Sequence, residues 1–164
     1  MKRTYLSALV ALFFIVASSC SSPNKAMGPA GSNTDLKGTW TVNDVDFDGA
    51  SKSSIKVTVF DDALVSCFVG SQWALIQNGN GTYTISSSDQ SCNPGQRKIY
   101  WSIQNVNGVQ YFQFKKLMEG DKPSKVVDGY RLQVKALQGN IMTLTSTAEL
   151  DGKTIYINFH LTKQ

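Results

Sequence analysis

Histidine is nearly missing from this chain, with one in 164 residues, and there are only four prolines and three cysteines. A single His and no Cys-x-x-Cys spacing exclude the frameworks that hold structural or catalytic zinc. Three cysteines are too few for a disulfide-stapled mini-protein, and glycine shows no collagen period. Charge is also sparse, at 17%, but a 41% hydrophobic content excludes a polar disordered chain. There is no Gly-x-Ser-x-Gly elbow, no phosphate loop and no His-rich metal spacing. The sequence therefore predicts no catalytic residue, no metal site and no cofactor. No nucleic-acid recognition motif is present either. What remains is one domain's length of chain, without a fixed-period repeat.

Long apolar runs are scarce as well. The longest, Leu6 to Ala17, holds about a dozen residues, too few to span a hydrocarbon core of roughly 30 Å. Lys2 and Arg3 precede it and Ser18-Ser19-Cys20 follow, which describes an export signal. Ala17-Ser18-Ser19-Cys20 resembles a bacterial lipobox, with cleavage before Cys20 and lipid on its sulfur. Several acyl chains on one residue anchor stably where one is marginal, so a membrane is an expected partner through Cys20. The reading is signal peptide at 1–19, flexible Pro/Gly/Ser/Asn tether at 20–35 and folded domain at 36–164. Loss of Lys2 and Arg3 lowers the net charge from +4 to +2, so part of the basic balance belongs to targeting.

From Leu36 the apolar pattern has period 2. Trp40 and Val42, Ile55 to Val59, Ile99 to Ile103, Tyr130 to Ala136 and Ile155 to Leu161 alternate with polar residues, as half-buried antiparallel strands do. Asp48-Gly49, Asn78-Gly79-Asn80-Gly81, Asn107-Gly108, Gly139-Asn140 and Asp151-Gly152 separate the runs with tight-turn chemistry. The pattern predicts strands over 37–47, 53–60, 72–78, 81–87, 97–105, 109–116, 126–137, 141–149 and 153–162. Asp61 to Val69 reads as one short helical turn. Hairpin-joined strands leave two sheet edges, which closure removes. The expected fold is all-β: an antiparallel up-and-down meander closed into a barrel of eight to ten strands.

Gly38-Thr39-Trp40 matches the Gly-x-Trp signature of lipocalins, in which the Trp packs across the closed end beneath a basic residue. Lys163 stands where that basic residue would be. Further stretches are similar to lipocalin-like lipoproteins of Bacteroidetes: Cys67 to Trp73, Asn78 to Tyr83, Cys92, Ile99 to Trp101, Tyr111 to Lys115, Gly129 to Leu132 and Met142 to Leu144. The resemblance implies a calyx that binds a small molecule, and brings no catalytic residues with it. In surface-displayed members an acidic run often follows the lipidated cysteine. Its absence after Cys20 points to the periplasmic face of the outer membrane.

With Cys20 assigned to lipid, Cys67 and Cys92 are expected to pair in an oxidising compartment. The apolar parity puts Trp73, Tyr83, Trp101, Phe112, Phe114, Tyr130, Leu132 and Phe159 on one lumen, as walls of a pocket for a small, mostly apolar ligand. Gly38, Trp40 and Lys163 are assigned to the barrel base. The competing outcome is a lumen filled by these rings, since eight strands enclose little more than side chains. A filled barrel would serve the envelope as a protein-interaction module, with Tyr100, Tyr111 and Tyr156 outward beside Lys115 and Lys135. His160 reads as a solvated outer residue. Asp44, Asp46 and Asp48 read as a solvated strand end, and the basic residues from Arg97 to Lys135 as a solvated face.

Overall fold

The computed structural model describes residues 33–49, 56–150 and 152–164. Cys20, the stretch 1–19 expected to be a signal peptide, and Ile55 lie outside them. A helical turn, α1 (Asn33–Leu36), leads into β1 (Gly38–Asp48). A short hairpin follows, β2 (Thr58–Val59) and β3 (Ala63–Leu64), and a 3-10 turn over Val65–Phe68. The remaining strands are β4 (Gln72–Leu75), β5 (Asn80–Ile85), β6 (Gly95–Val106), β7 (Val109–Leu117), β8 (Tyr130–Gln138), β9 (Ile141–Leu150) and β10 (Lys153–Lys163).

Eight strands close into an antiparallel barrel in the order β1-β10-β9-β8-β7-β6-β5-β4, with β4 returning to β1. Closure pairs Trp40 with Trp73 on one side of β1 and with Lys163 on the other, so no edge is left exposed. The meander makes the two ends unlike. The β4–β5, β6–β7 and β8–β9 turns share one end, the base, and are short. At the β6–β7 turn, Asn107 and Gly108 take the positive φ angles that a two-residue hairpin needs. The long connections 86–94 and 118–129, and the described part of the β1–β4 connection, 56–71, gather at the other end, the mouth.

Two register shifts modify the alternation. One lies between Val42 and Asp44, where Asn43 and Asp44 both turn outward and Val45 then enters the core. The other lies between Val134 and Ala136 and brings Leu137 opposite Met142.

Two expectations are corrected in the segment between β1 and β4. The alternation ending at Val59 does not add a wall strand; Thr58–Val59 pairs only with Ala63–Leu64, outside the barrel sheet. The helical turn expected over Asp61 to Val69 is present only as the 3-10 turn Val65–Phe68, because Asp61 and Asp62 belong to a hairpin turn instead. Phe60 and Asp61 have φ of 58° and 45°, and the Asp62 amide donates to the Val59 carbonyl at 3.2 Å, which makes a type I′ turn. Reversal at this point sends the chain back along β2 at once, so Asp61-Asp62 caps no helix.

Candidate functional site: the aromatic mouth

The core runs through the barrel. Trp73, Tyr83, Trp101, Phe112, Phe114, Leu132 and Phe159 are all buried, and Tyr130 is half-buried at the rim. Alternation on short, paired strands is what aims them at one another. Trp73 stacks on Tyr83, its cross-strand partner, at 4.8 Å between centroids. Phe114 meets Tyr130 at 5.0 Å, and Trp101 meets Phe112 at 6.0 Å.

Two further rings, unanticipated from the sequence, come from the segment that crosses the mouth. Phe68, on the 3-10 turn, lies 5.7 Å from Tyr83. Phe60 enters the middle of the cluster, at 5.1 Å from Phe114, 5.5 Å from Tyr130, 5.6 Å from Phe159, 5.2 Å from Phe68 and 6.1 Å from Trp73. It thus touches walls supplied by β4, β7, β8 and β10. Its side chain is aromatic and its φ is 58°, a backbone region that costs a non-glycine residue about 1–2 kcal/mol.

The next two residues latch that turn to the rim. The Asp62 carboxylate accepts from the Tyr83 hydroxyl at 2.7 Å and pairs with the Arg97 guanidinium at 2.9 Å. Their side chains are 12% and 15% exposed, so this ion pair is shielded well beyond a surface pair. Asp61 accepts from the Tyr130 hydroxyl at 3.1 Å, and its carbonyl accepts from Lys116 at 2.8 Å. Burial first, and then Asp62, push the Tyr83 phenol far above its ordinary range. Burial and Asp61 push Tyr130 up to about 12. Both phenols therefore stay protonated donors at neutral pH.

Arg97 is held independently, by the carbonyls of Gly95 and Asn93 at 2.7 Å each. The loop carrying those carbonyls is pinned in turn, because Cys92 forms a disulfide with Cys67 on the Phe68 turn (Cα–Cα 5.6 Å). A cleft of about 540 Å³ opens beside the latch between 93–98 and 116–119, with Asp62 in its wall. A second, of about 740 Å³, lies between the 123–129 loop and the outer face of β6–β8, along Tyr100, Lys115 and Arg131.

At the base, Trp40 is fully buried and donates its indole N–H to the Leu36 carbonyl at 2.7 Å. The ammonium of Lys163 lies 5.4 Å over its ring. Glycine suits position 38 because its φ is +128°, a backbone region that strains other residues; a Cβ there would also displace the flexible end of Lys163. Residues 33–35, read as the end of the tether, belong to the turn α1 that carries Leu36 under the barrel.

The outer polar residues are exposed to solvent and are also hydrogen-bonded to one another. His160 Nε2 lies 2.7 Å from Asp46, and Nδ1 lies 3.4 Å from the Thr143 hydroxyl. Buried Asn158 donates to Asp46 at 2.7 Å and Asp48 at 3.2 Å, and accepts from Thr145. Lys135 reaches Asp48 at 3.2 Å. On the basic face, Lys115 donates to the Val126 carbonyl at 2.6 Å and Arg131 lies over the Tyr111 ring at 4.9 Å. These contacts tie strands and loops together.

Comparison with protein-family models, with curated proteins and with solved structures gives no match. The class defined by the coordinates is thus a closed eight-stranded antiparallel barrel, with a hydrogen-bonded base and a mouth stoppered by an aromatic turn.

Proposed function

We propose that the protein is a lipid-anchored cell-envelope barrel of the lipocalin-like kind, which binds a small, mostly apolar molecule in its lumen. The observation that carries this reading is Phe60. The centre of the ring cage is completed by a residue from a strained turn, and backbone strain of this kind clusters at ligand clamps and switch segments. A ligand that replaces the Phe60 ring gains the same walls of Phe68, Trp73, Phe114, Tyr130 and Phe159. The reading assigns the protein to the periplasmic face of the outer membrane, held by lipid on Cys20, and to binding without catalysis. The Cys67–Cys92 disulfide supports an oxidising compartment.

Native mass spectrometry of the purified protein against a mixed library of lipids and aromatics tests the binding. One or a few compounds should be retained, with tryptophan fluorescence changed through Trp73. Retention of nothing, by wild type and by Phe60→Gly, overturns it. For the anchor, Cys20→Ser should move the protein from the membrane to the soluble fraction.

The density of ring contacts favours one second reading, in which the barrel stays filled and acts through its outer face as an envelope interaction module. Tyr100 and Tyr156 are exposed there. A single stoichiometric partner on whole-cell cross-linking, with no retained small molecule, supports that alternative.

A further inference from the structure

We propose that the Phe60–Asp62 turn is a built-in stand-in for an amphipathic anion, and that the site it fills takes an aromatic or alkyl carboxylate. The inference rests on the lumen-binding reading above and names the ligand's chemical class. Within three residues the turn offers an apolar ring and two carboxylates, and each part meets a matching receptor. The ring lies in the aromatic cage. The Asp62 carboxylate receives the Tyr83 hydroxyl and the Arg97 guanidinium, while Asp61 receives the Tyr130 hydroxyl and, on its carbonyl, Lys116.

Those receptors have supports besides the turn. Arg97 is oriented by the Gly95 and Asn93 carbonyls, on a loop pinned through Cys92. Tyr83 and Tyr130 stand on barrel strands. When the turn swings away, two cations and two phenolic donors remain around the mouth, with the cage vacant beneath them. A neutral apolar ligand would leave the shielded guanidinium unpaired, which is costly, and a cationic ligand would be repelled. A carboxylate restores the charge-assisted hydrogen bonds that Asp62 supplied. The cleft of about 540 Å³ bordered by Asp62, Arg97 and Lys116 provides the route by which such a head group reaches them. The left-handed backbone at Phe60 and Asp61 is relieved on release, so the occupant is held without being locked. The resting protein is thus inhibited by its own turn, and affinity for ligand is set by competition with Asp62.

Calorimetric titration with 5-phenylpentanoate and its neutral amide at pH 7 tests this, on wild type, Asp62→Asn and Arg97→Gln, each confirmed folded by thermal melting. The carboxylate should bind about tenfold tighter than the amide, as a charge-assisted bond to a shielded guanidinium predicts. Asp62→Asn should tighten the carboxylate further by weakening the internal competitor, and Arg97→Gln should erase the preference. Equal binding of carboxylate and amide by wild type and Asp62→Asn overturns the anion assignment and leaves lumen binding standing. Binding of neither compound by any of the proteins overturns this inference. A mixed library that still yields a retained compound then preserves the broader reading, and an empty library removes both.

Discussion

The two ends of this barrel are closed by different means. At the base, Trp40 is sealed by its neighbours in sequence and in the sheet: Leu36 accepts its N–H from four residues upstream, and its strand partner Lys163 covers its ring. The connections there are short. At the mouth, Phe60 sits in a long connection, takes an unfavourable backbone angle, and is kept in place by carboxylates on a rim built from distant strands. A closure made by an adjoining turn and a paired strand forms and persists with the sheet. One made by side-chain latches from a connection outside the barrel sheet can open without unfolding the sheet, because its free energy is separable from the wall's. The contrast is why we read the base as structural and the mouth as functional.

The largest blow to that contrast should come from Trp40→Ala. It removes a fully buried ring and an internal hydrogen bond, and is expected to cost about 3–5 kcal/mol of unfolding free energy by denaturant titration. A cost under about 1 kcal/mol would mean that the base is not the structural end.

Next in size is the Cys67→Ser, Cys92→Ser pair. The bridge joins residues at a sequence separation of 25, which the chain-entropy model values at roughly 3.5 kcal/mol at most. The loss should fall on the mouth, with faster amide exchange in 63–71 and 86–96 than around Trp40. Uniform loosening of both ends would show that the bridge braces the whole barrel.

Phe60→Gly should cost less than its burial suggests. Removing the ring costs on the scale of a Phe truncation, about 3–5 kcal/mol, but glycine relieves about 1–2 kcal/mol of left-handed strain. The net loss, about 2 kcal/mol, should be accompanied by tighter binding of an apolar probe as judged by tryptophan fluorescence. A loss equal to that of Trp40→Ala, with no gain in binding, would erase the distinction between the ends.

The sequence made the barrel wall readable and left the mouth obscure, for physical reasons. Alternation reports which side chains share a face, so Trp73, Tyr83, Trp101, Phe112, Phe114 and Leu132 could be grouped before any coordinates. Asn107-Gly108 announced its turn because those residues accept positive φ cheaply. The turn at Phe60-Asp61 has no such marker: a bulky aromatic in left-handed backbone runs against local preference, and tertiary contacts impose it. The helical turn in 61–69 starts at Val65 rather than Asp61 on the same account, since two acids before an apolar run resemble an N-terminus. The bulge at Asn43-Asp44 was also hidden, because a shift of parity by one residue leaves composition unchanged. Pairings between distant side chains, such as Asp62 with Arg97 or His160 with Asp46, depend on register, which one sequence does not reveal.

The smallest expected effect concerns acid, and it divides a single strand between the two ends. Hydrogen bonding from Asn158 holds the Asp46 carboxyl below its ordinary value of 3.8, with His160 adding to the effect. Asn158 and then Lys135 do the same for Asp48. A carboxyl whose folded value is depressed stabilises the protein above its unfolded value, and that contribution is lost as pH falls through the folded one. Asp46 and Asp48 tie the mouth half of β1 to β10, whereas the contacts that seal Trp40 involve a backbone carbonyl and the Lys163 side chain and no carboxylate. Below about pH 4, hydrogen exchange at 44–48 should therefore accelerate relative to 38–42, by a modest factor because both carboxyls are well exposed to solvent. Asp46→Asn should reduce that divergence by removing one of the two titrating groups. Equal acceleration along the whole of β1 would mean that acid acts on the barrel globally, and that the two halves of this strand are not separately stabilised.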